Sequence, residues 1–300
     1  MSTLDALNTE FGIDDKLQFL EGKGGLTLFR LSHSGNTVEG YLYGGHICSF
    51  VHGGEELLWM SSTSFFEKAQ PIRGGIPLCF PWFGPSELDS LPQHGYLRLS
   101  EMQVKACSCD DKAVSLVLQL ATSAIGVAGN FAALDIELEL KLGSSLAMHL
   151  RAVNSSTETQ KVTAALHTYF EVSNVEQVDI PALHGLSYLD KTQDYASFEQ
   201  VAPFAINCEH DRVFSKAPQH VELLDPGNKR RIIIESEGNN NTVVWNPGAE
   251  KAVGIGDFDE TRQANMLCIE PACALDDAVM LKPGESFELA QRLWAEPIGS

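Results

Sequence analysis

Two short stretches carry side chains suited to moving a proton. In ALHTYFEV, read as a strand, Leu166, Thr168, Phe170 and Val172 share one face, and His167, Tyr169 and Glu171 share the other. A histidine beside a tyrosine on an open sheet face suits proton transfer near neutral pH. The same pattern also fits a structural histidine with its hydrogen bonds met. In MLCIEPACAL an apolar run leads into Glu270, and Pro271 is expected to stop the ladder there. Burial at the end of an apolar strand raises a carboxyl pKa, as a general base requires. The other reading of Glu270 is a capping or salt-bridged carboxylate at a strand exit.

Positive charge is scarce, with 21 Lys+Arg against 40 Asp+Glu and a net charge of −19. Such a chain repels anions at long range, so binding one takes a local clamp. PIRGGIPLCFPWFGP places Arg73 before Gly74 and Gly75 and an apolar wall, and LPQHGYLRLSE adds His94 and Arg98. Guanidinium groups grip phosphate in pairs of hydrogen bonds, and glycine lets backbone come close to a ligand. Alternatively, the two arginines stack on Trp82 or Phe83, or pair with Glu101 or Glu87. In EHDRVF, Asp211 reads as an acceptor for hydroxyls or as a turn residue before a strand. WNPGAEKAVGIGDFDE reads as a loop in which Trp245 is a stacking platform or part of the core.

The elements that must position these groups are strands. LDIELELKL alternates Leu134, Ile136, Leu138, Leu140 and Leu142 with Asp135, Glu137, Glu139 and Lys141. AVSLVLQLA and SLAMHLRAVN alternate likewise, and Gly143 to Ser145 reads as a hairpin turn between two of them. Further strands are expected in GNTVEGYLYGGHICSFVH, KVTAALHTYFEV, RRIIIESE, NTVVWNP, NMLCIEPA and SFELAQRLWA. STLDALNTEF is the one amphipathic helix expected, capped by Ser2 or Thr3. With no linker or repeat, the expectation is a single all-β domain over residues 1–300, a large antiparallel β-sandwich with few short helices. One face of each sheet would be core, leaving the other open to carry chemistry.

The acidity argues against nucleic acid and anionic membranes as partners. No apolar stretch reaches membrane-spanning length and the start lacks a secretory pattern. Seven scattered cysteines suggest reduced thiols in a cytoplasm rather than a disulfide framework. Cys107 and Cys109 have no second pair at zinc spacing, so no metal is assigned there.

Taken in order, IRGGIPLCFPWFGP, QHGYLRLSE, LHTYFEV, DRVF, WNPGAEKAVGIGDF and CIEPA resemble the motifs of the glucose-6-phosphate 1-epimerases, hexose-6-phosphate mutarotases of the aldose 1-epimerase superfamily. The resemblance runs from about Gly40 to Trp294. It implies a galactose mutarotase-like supersandwich and an isomerase that interconverts sugar anomers by acid/base ring opening, with no metal or other cofactor. It implies His167 as general acid and Glu270 as general base, Arg73 and Arg98 as a phosphate clamp, His94 at the sugar and Asp211 on its hydroxyls. The expected partner is a hexose 6-phosphate, and the default oligomeric state is a monomer. Tyr96-Leu97, Met102 and Gly248 stand where the family usually has Phe-Ala, Trp and Trp, and bear on the shape of the sugar pocket. Two other functions stay open on these residues: a mutarotase of unphosphorylated aldoses, and a sugar-phosphate binding protein without catalysis.

Overall fold

Alternating sequences build sheets because period two gives each strand an apolar and a polar face. The computed structural model describes residues 3–86, 91–124, 133–201, 203–204 and 206–299. A seven-stranded antiparallel sheet runs in the spatial order His220–Asp225, Arg230–Glu237, Ser286–Pro297, Leu146–Asn154, Leu134–Leu142, Val114–Ala121, Gln103–Cys109. Its register sets Leu146 opposite Leu142 and Leu150 opposite Leu138, with the expected turn at Gly143 to Ser145 between them. The five alternating apolar residues from Leu134 to Leu142 are all buried.

The second layer is an eight-stranded sheet. Its main path runs Ala196–Glu199, Ser187–Asp190, His210–Ser215, Asn241–Asn246, Met266–Cys273, Ala164–Leu166, Leu78–Cys79, and Tyr169–Glu171 also pairs with Met266–Cys273. A five-stranded sheet, Leu17 to Glu56, joins the same core. That core takes Phe29 and Phe50 from the five-stranded sheet, Leu116, Leu138 and Leu150 from the seven-stranded one, and Leu166, Phe170, Phe214 and Ile269 from the eight-stranded one. The architecture is therefore the expected all-β antiparallel sandwich. The expected helix forms over Thr3–Phe11 and rests Leu4, Leu7 and Phe11 on the core. Thr3 is inside this helix, and Ser2 lies outside the described residues.

The sequence expectation fails at several boundaries, one of them in ALHTYFEV, which falls in two strands, Ala164–Leu166 and Tyr169–Glu171, rather than one. Pro271 does not end its strand, which continues to Cys273 with Pro271 opposite Thr242. Ile269 donates its N–H to Thr168 O, so Pro271, two residues on, turns its missing N–H toward the same side. There the ladder is already open between Leu166 and Tyr169, and no donor is required. Asp211 lies inside the His210–Ser215 strand rather than in a turn before one. In the segment read as a loop, Trp245 and Asn246 end a strand and a short helix covers Gly248–Ala252.

The RGG stretch needs its glycines. Gly74 and Gly75 have φ of +104° and +62°. Gly75 donates to Trp59 O and accepts from Tyr169 N, both at 2.8 Å. A Cβ on Gly75 would lie 2.0 Å from Ile47 O, against backbone that cannot yield. This squeeze sets Arg73 over the Tyr169 strand. Gly75→Ala is expected to cost at least about 1–3 kcal/mol of stability, the usual scale for forced backbone strain. An unchanged urea midpoint would refute this account of the glycine pair.

Candidate active site

The eight-stranded sheet turns its second face away from the main core, and on that face the register lines up two adjacent rows. Ala165 pairs with Ala272 and Tyr169 with Cys268, so counting two residues from either side sets His167 opposite Glu270. Glu270 pairs in turn with Val243, and Val243 with Val213. The neighbouring row reads Tyr169, Cys268, Trp245, Asp211, and Lys191 follows opposite Asp211, one residue beyond the Ser187–Asp190 strand. Around these rows the floor is small and apolar, with Cys79, Ala165, Val213, Val243, Ala272 and Ala274 in one cluster.

His167 breaks its own strand to enter this site. Its N–H bonds to Pro77 O, and Thr168 N–H reaches back to Leu166 O. The ring lies parallel to Tyr169 at 4.8 Å and edge-on to Trp245 at 5.9 Å. His167 Nδ1 is 3.3 Å from Glu270 Oε1, with the side chains 12% and 1% exposed. Neither His167 Nδ1 nor Glu270 Oε2 makes a hydrogen bond, although both are buried. Burial, and then the negative charge of Asp211, raises the Glu270 pKa well above the usual carboxylate range, with Lys191 opposing. Burial lowers His167 well below the usual imidazole range, reinforced by His94, Arg73 and Arg98. The two form a coupled buried pair in which each neutral form is favoured.

Arg73 is engaged rather than free. Nε donates to both carboxylate oxygens of Asp257 at 3.2 Å, Nη2 lies 3.1 Å from Asp257 Oδ1, and Nη1 donates to the Tyr169 hydroxyl at 3.3 Å. Burial works against its charge, but Tyr169 and Asp257 hold it above its ordinary pKa. Arg98 is different. It donates through Nη2 to Gln93 O at 2.8 Å, its buried Nε has no partner, and among the described residues no carboxylate pairs with it. Burial lowers its pKa. Among the described residues neither guanidinium stacks on Trp82 or Phe83 or pairs with Glu101, and Glu87 lies outside the described residues.

His94 has a left-handed backbone, φ +61°, and accepts the Gly84 N–H at Nδ1. Burial and the nearby Arg98, Lys191 and Arg73 push its pKa down to about 3, so the ring is neutral and its proton sits on Nε2. It lies 5.1 Å from Phe83 and 5.9 Å from His167, ring to ring. Of the apolar wall read in the sequence, Phe83 thus borders the site, whereas Phe80 and Trp82 pack in the core. Asp211 pairs with Lys191 at 3.1 Å, and burial raises its carboxyl pKa against that cation.

The six residues singled out in the sequence therefore come together around the His167–Glu270 pair. Sequence reasoning missed two charged members, Asp257 and Lys191. Asp257 sat in a quoted glycine-rich stretch, GIGDF, next to the Trp245 segment; Lys191, in DKTQDY, carried no signal. Tyr96, Leu97 and Met102 are buried in the core, and Gly248, at φ +65°, would press a Cβ 2.6 Å from Glu209 N. No helix among the described residues is long and apolar enough to cross a membrane.

This sandwich, with an imidazole and a carboxyl opposed on one sheet face, has the fold of the mutarotases. A solved structure of a candidate mutarotase from Salmonella typhimurium superposes with a TM-score of 0.88 over 96% of each chain at 26% identity. A galactose mutarotase-like protein from Clostridium acetobutylicum, at 18% identity, shares the fold with a TM-score of 0.71 over 94% of this chain and 98% of its own. The family profile "Aldose 1-epimerase" matches residues 27–294, and the chain belongs to that family. A protein of Cenchrus ciliaris named as a candidate glucose-6-phosphate 1-epimerase is 34% identical over 273 residues, 87% of this chain and 82% of its own. One of the same name from Escherichia coli is 30% identical over 262 residues, 84% of this chain and 86% of its own. The protein is accordingly an isomerase of the epimerase type.

Asp257→Ala should leave the Arg73 guanidinium buried without a carboxylate and destabilise the protein by roughly 3 kcal/mol, the lower end for breaking a buried pair. Asp257→Asn, which keeps an acceptor for Nε, should cost less. Equal urea midpoints for both variants and the parent would show that the pair contributes nothing.

Proposed function

We propose that the protein interconverts the α and β anomers of glucose 6-phosphate and related aldohexose 6-phosphates. The observation that carries this reading is the opposition of His167 and Glu270 on one face of the sheet. The names of the relatives at 30–34% identity support the phosphorylated sugar as substrate.

In this mechanism Glu270 takes the proton of the C1 hydroxyl while protonated His167 gives one to the ring oxygen O5. The C1–O5 bond breaks and the open-chain aldehyde forms. Rotation about C1–C2 presents its other face, and the reverse transfers close the opposite anomer. Ring opening thereby turns a carboxylate–imidazolium pair into a carboxyl and a neutral imidazole, the forms that burial favours. The same bias makes the carboxylate–imidazolium pair the minority form of the free site, and the transfer runs downhill from it. His94, through Nε2–H, and Asp211 bind sugar hydroxyls. Arg98, with donors open, and Arg73, fixed by Asp257 and Tyr169, hold the phosphate. Seven free thiols fit a reducing cytoplasm as the compartment.

His167→Asn and Glu270→Gln should each slow anomer exchange by ~10²–10⁴-fold, the usual contribution of a positioned acid or base. In the parent, kcat/KM should fall at acid pH as the pair takes up a second proton, at a pH below the ordinary imidazole value of 6.5 because burial depresses His167. It should fall again on the high-pH side as the last proton leaves, above the ordinary carboxyl value of 4.5. Exchange spectroscopy on glucose 6-phosphate measures all of this; near-normal rates in either variant would refute the acid/base assignment, and a parent no faster than spontaneous exchange would point instead to a binding protein without catalysis.

Arg98→Ala should raise KM for glucose 6-phosphate with little change in kcat, and hardly affect free glucose. Arg73→Ala should do the same but also lose stability, since it strands Asp257. An equal loss on both sugars would mean that the arginines are structural, and a parent rate on free glucose matching that on glucose 6-phosphate would identify a mutarotase of unphosphorylated aldoses.

A further inference from the structure

We infer that His167, Cys268 and Glu270 form a three-donor site for a thiophilic divalent cation of the zinc type, and that filling it switches the enzyme off. Cys268 and Glu270 are two residues apart on one strand face, and His167 stands across from Glu270. One nitrogen, one sulfur and one carboxylate oxygen from the three residues lie within 4.8 Å of one another. Among the described residues this is the one group of three such donors close enough to share an ion. The 3.3 Å between His167 Nδ1 and Glu270 Oε1 is what two ligands of one tetrahedral zinc show, with bonds of about 2.0–2.1 Å.

The donors are also unused. Glu270 is 1% exposed, and its Oε2 has no hydrogen-bond partner; nor has His167 Nδ1. Among the described residues the Cys268 thiol has its polar contact with the soft sulfur of Met266, at 3.8 Å. Buried polar atoms normally find partners, and a cation would give one to the His167 nitrogen and to the Glu270 carboxylate. Imidazole and thiolate together select zinc, cobalt or cadmium over magnesium or calcium. Of the cations near the site, Arg73 and Lys191 are offset by Asp257 and Asp211, and Arg98 is the charge that opposes a dication there. On binding, the Cys268 thiol and the carboxyl of Glu270 each release a proton to solvent, and His167 binds through Nδ1 with its proton on Nε2. The divalent charge then meets one thiolate and one carboxylate.

Cys268 has no part in the proposed ring opening, which separates the metal site from the catalytic pair. Inhibition rests on the proposed acid/base reading, whereas binding does not. The test titrates the full-length protein with cobalt chloride and reads the thiolate-to-cobalt charge-transfer absorption. The band should appear in the parent and vanish in Cys268→Ala. Zinc chloride should inhibit anomer exchange of the parent, with recovery on adding a chelator. Cys268→Ala should keep its basal rate and lose sensitivity by at least the ~10–100-fold typical for loss of even an outer-shell partner. No band in the parent, or the same band in Cys268→Ala, would overturn the site, the latter tracing the signal to the exposed Cys109 or Cys208. The band without inhibition would uphold the site and overturn both the switch and the assignment of His167 and Glu270 as acid and base.

Discussion

Everything at the site depends on a register: the strands that carry His167 and Glu270 pair so that the two residues fall opposite each other. Ala165–Ala272 on one side and Tyr169–Cys268 on the other fix that count. A slip of one residue would send His167 to the core face and bring Thr168 or Leu166 outward. The core prevents the slip, because Leu166, Phe170 and Val172 are buried and cannot exchange places with His167, Tyr169 and Glu171 without exposing apolar surface. The opposition of His167 and Glu270 is here a by-product of packing on the opposite face.

The surroundings of this pair resolve the conflict between an acidic protein and an anionic ligand. Each cation on the site face has a different degree of freedom. Arg73 is fixed by Asp257 and Tyr169, Lys191 is matched by Asp211, and Arg98 is buried with donors to spare. A fixed guanidinium orients, whereas an unmatched one attracts. An overall charge of −19 sets the long-range field, but at contact distance an unpaired arginine with a low-dielectric wall outweighs charges beyond a Debye length.

Much of this was legible in the residues. The leucine alternation from Leu134 to Leu142 could only be a half-buried strand, and LHTYFEV displayed the two faces of its strand directly. What escaped had a common cause: partners set by distant pairing. Asp257 meets Arg73 across 184 positions, and Lys191 reaches Asp211 by continuing a register that no local pattern announces. Pro271 misled for the related reason that its missing N–H matters only if a neighbour needs it, and the gap at His167 removes that need.

The two rows on the site face also explain why the pair is so strongly biased toward its neutral forms. Along its own row Glu270 has Val243 and Val213 as cross-strand neighbours, which offer no donors. The polar groups, Asp211 and Lys191, are displaced to the next row, where they oppose one another's effect on Glu270. Had Lys191 stood in the Glu270 row, it would have held the carboxylate ionised. A carboxylate buried beside valines gains from taking a proton, and an imidazolium stacked on Tyr169 in the same low-dielectric surroundings gains from giving one. The sheet thereby separates charge that positions a ligand from the apolar row that makes a proton easy to move.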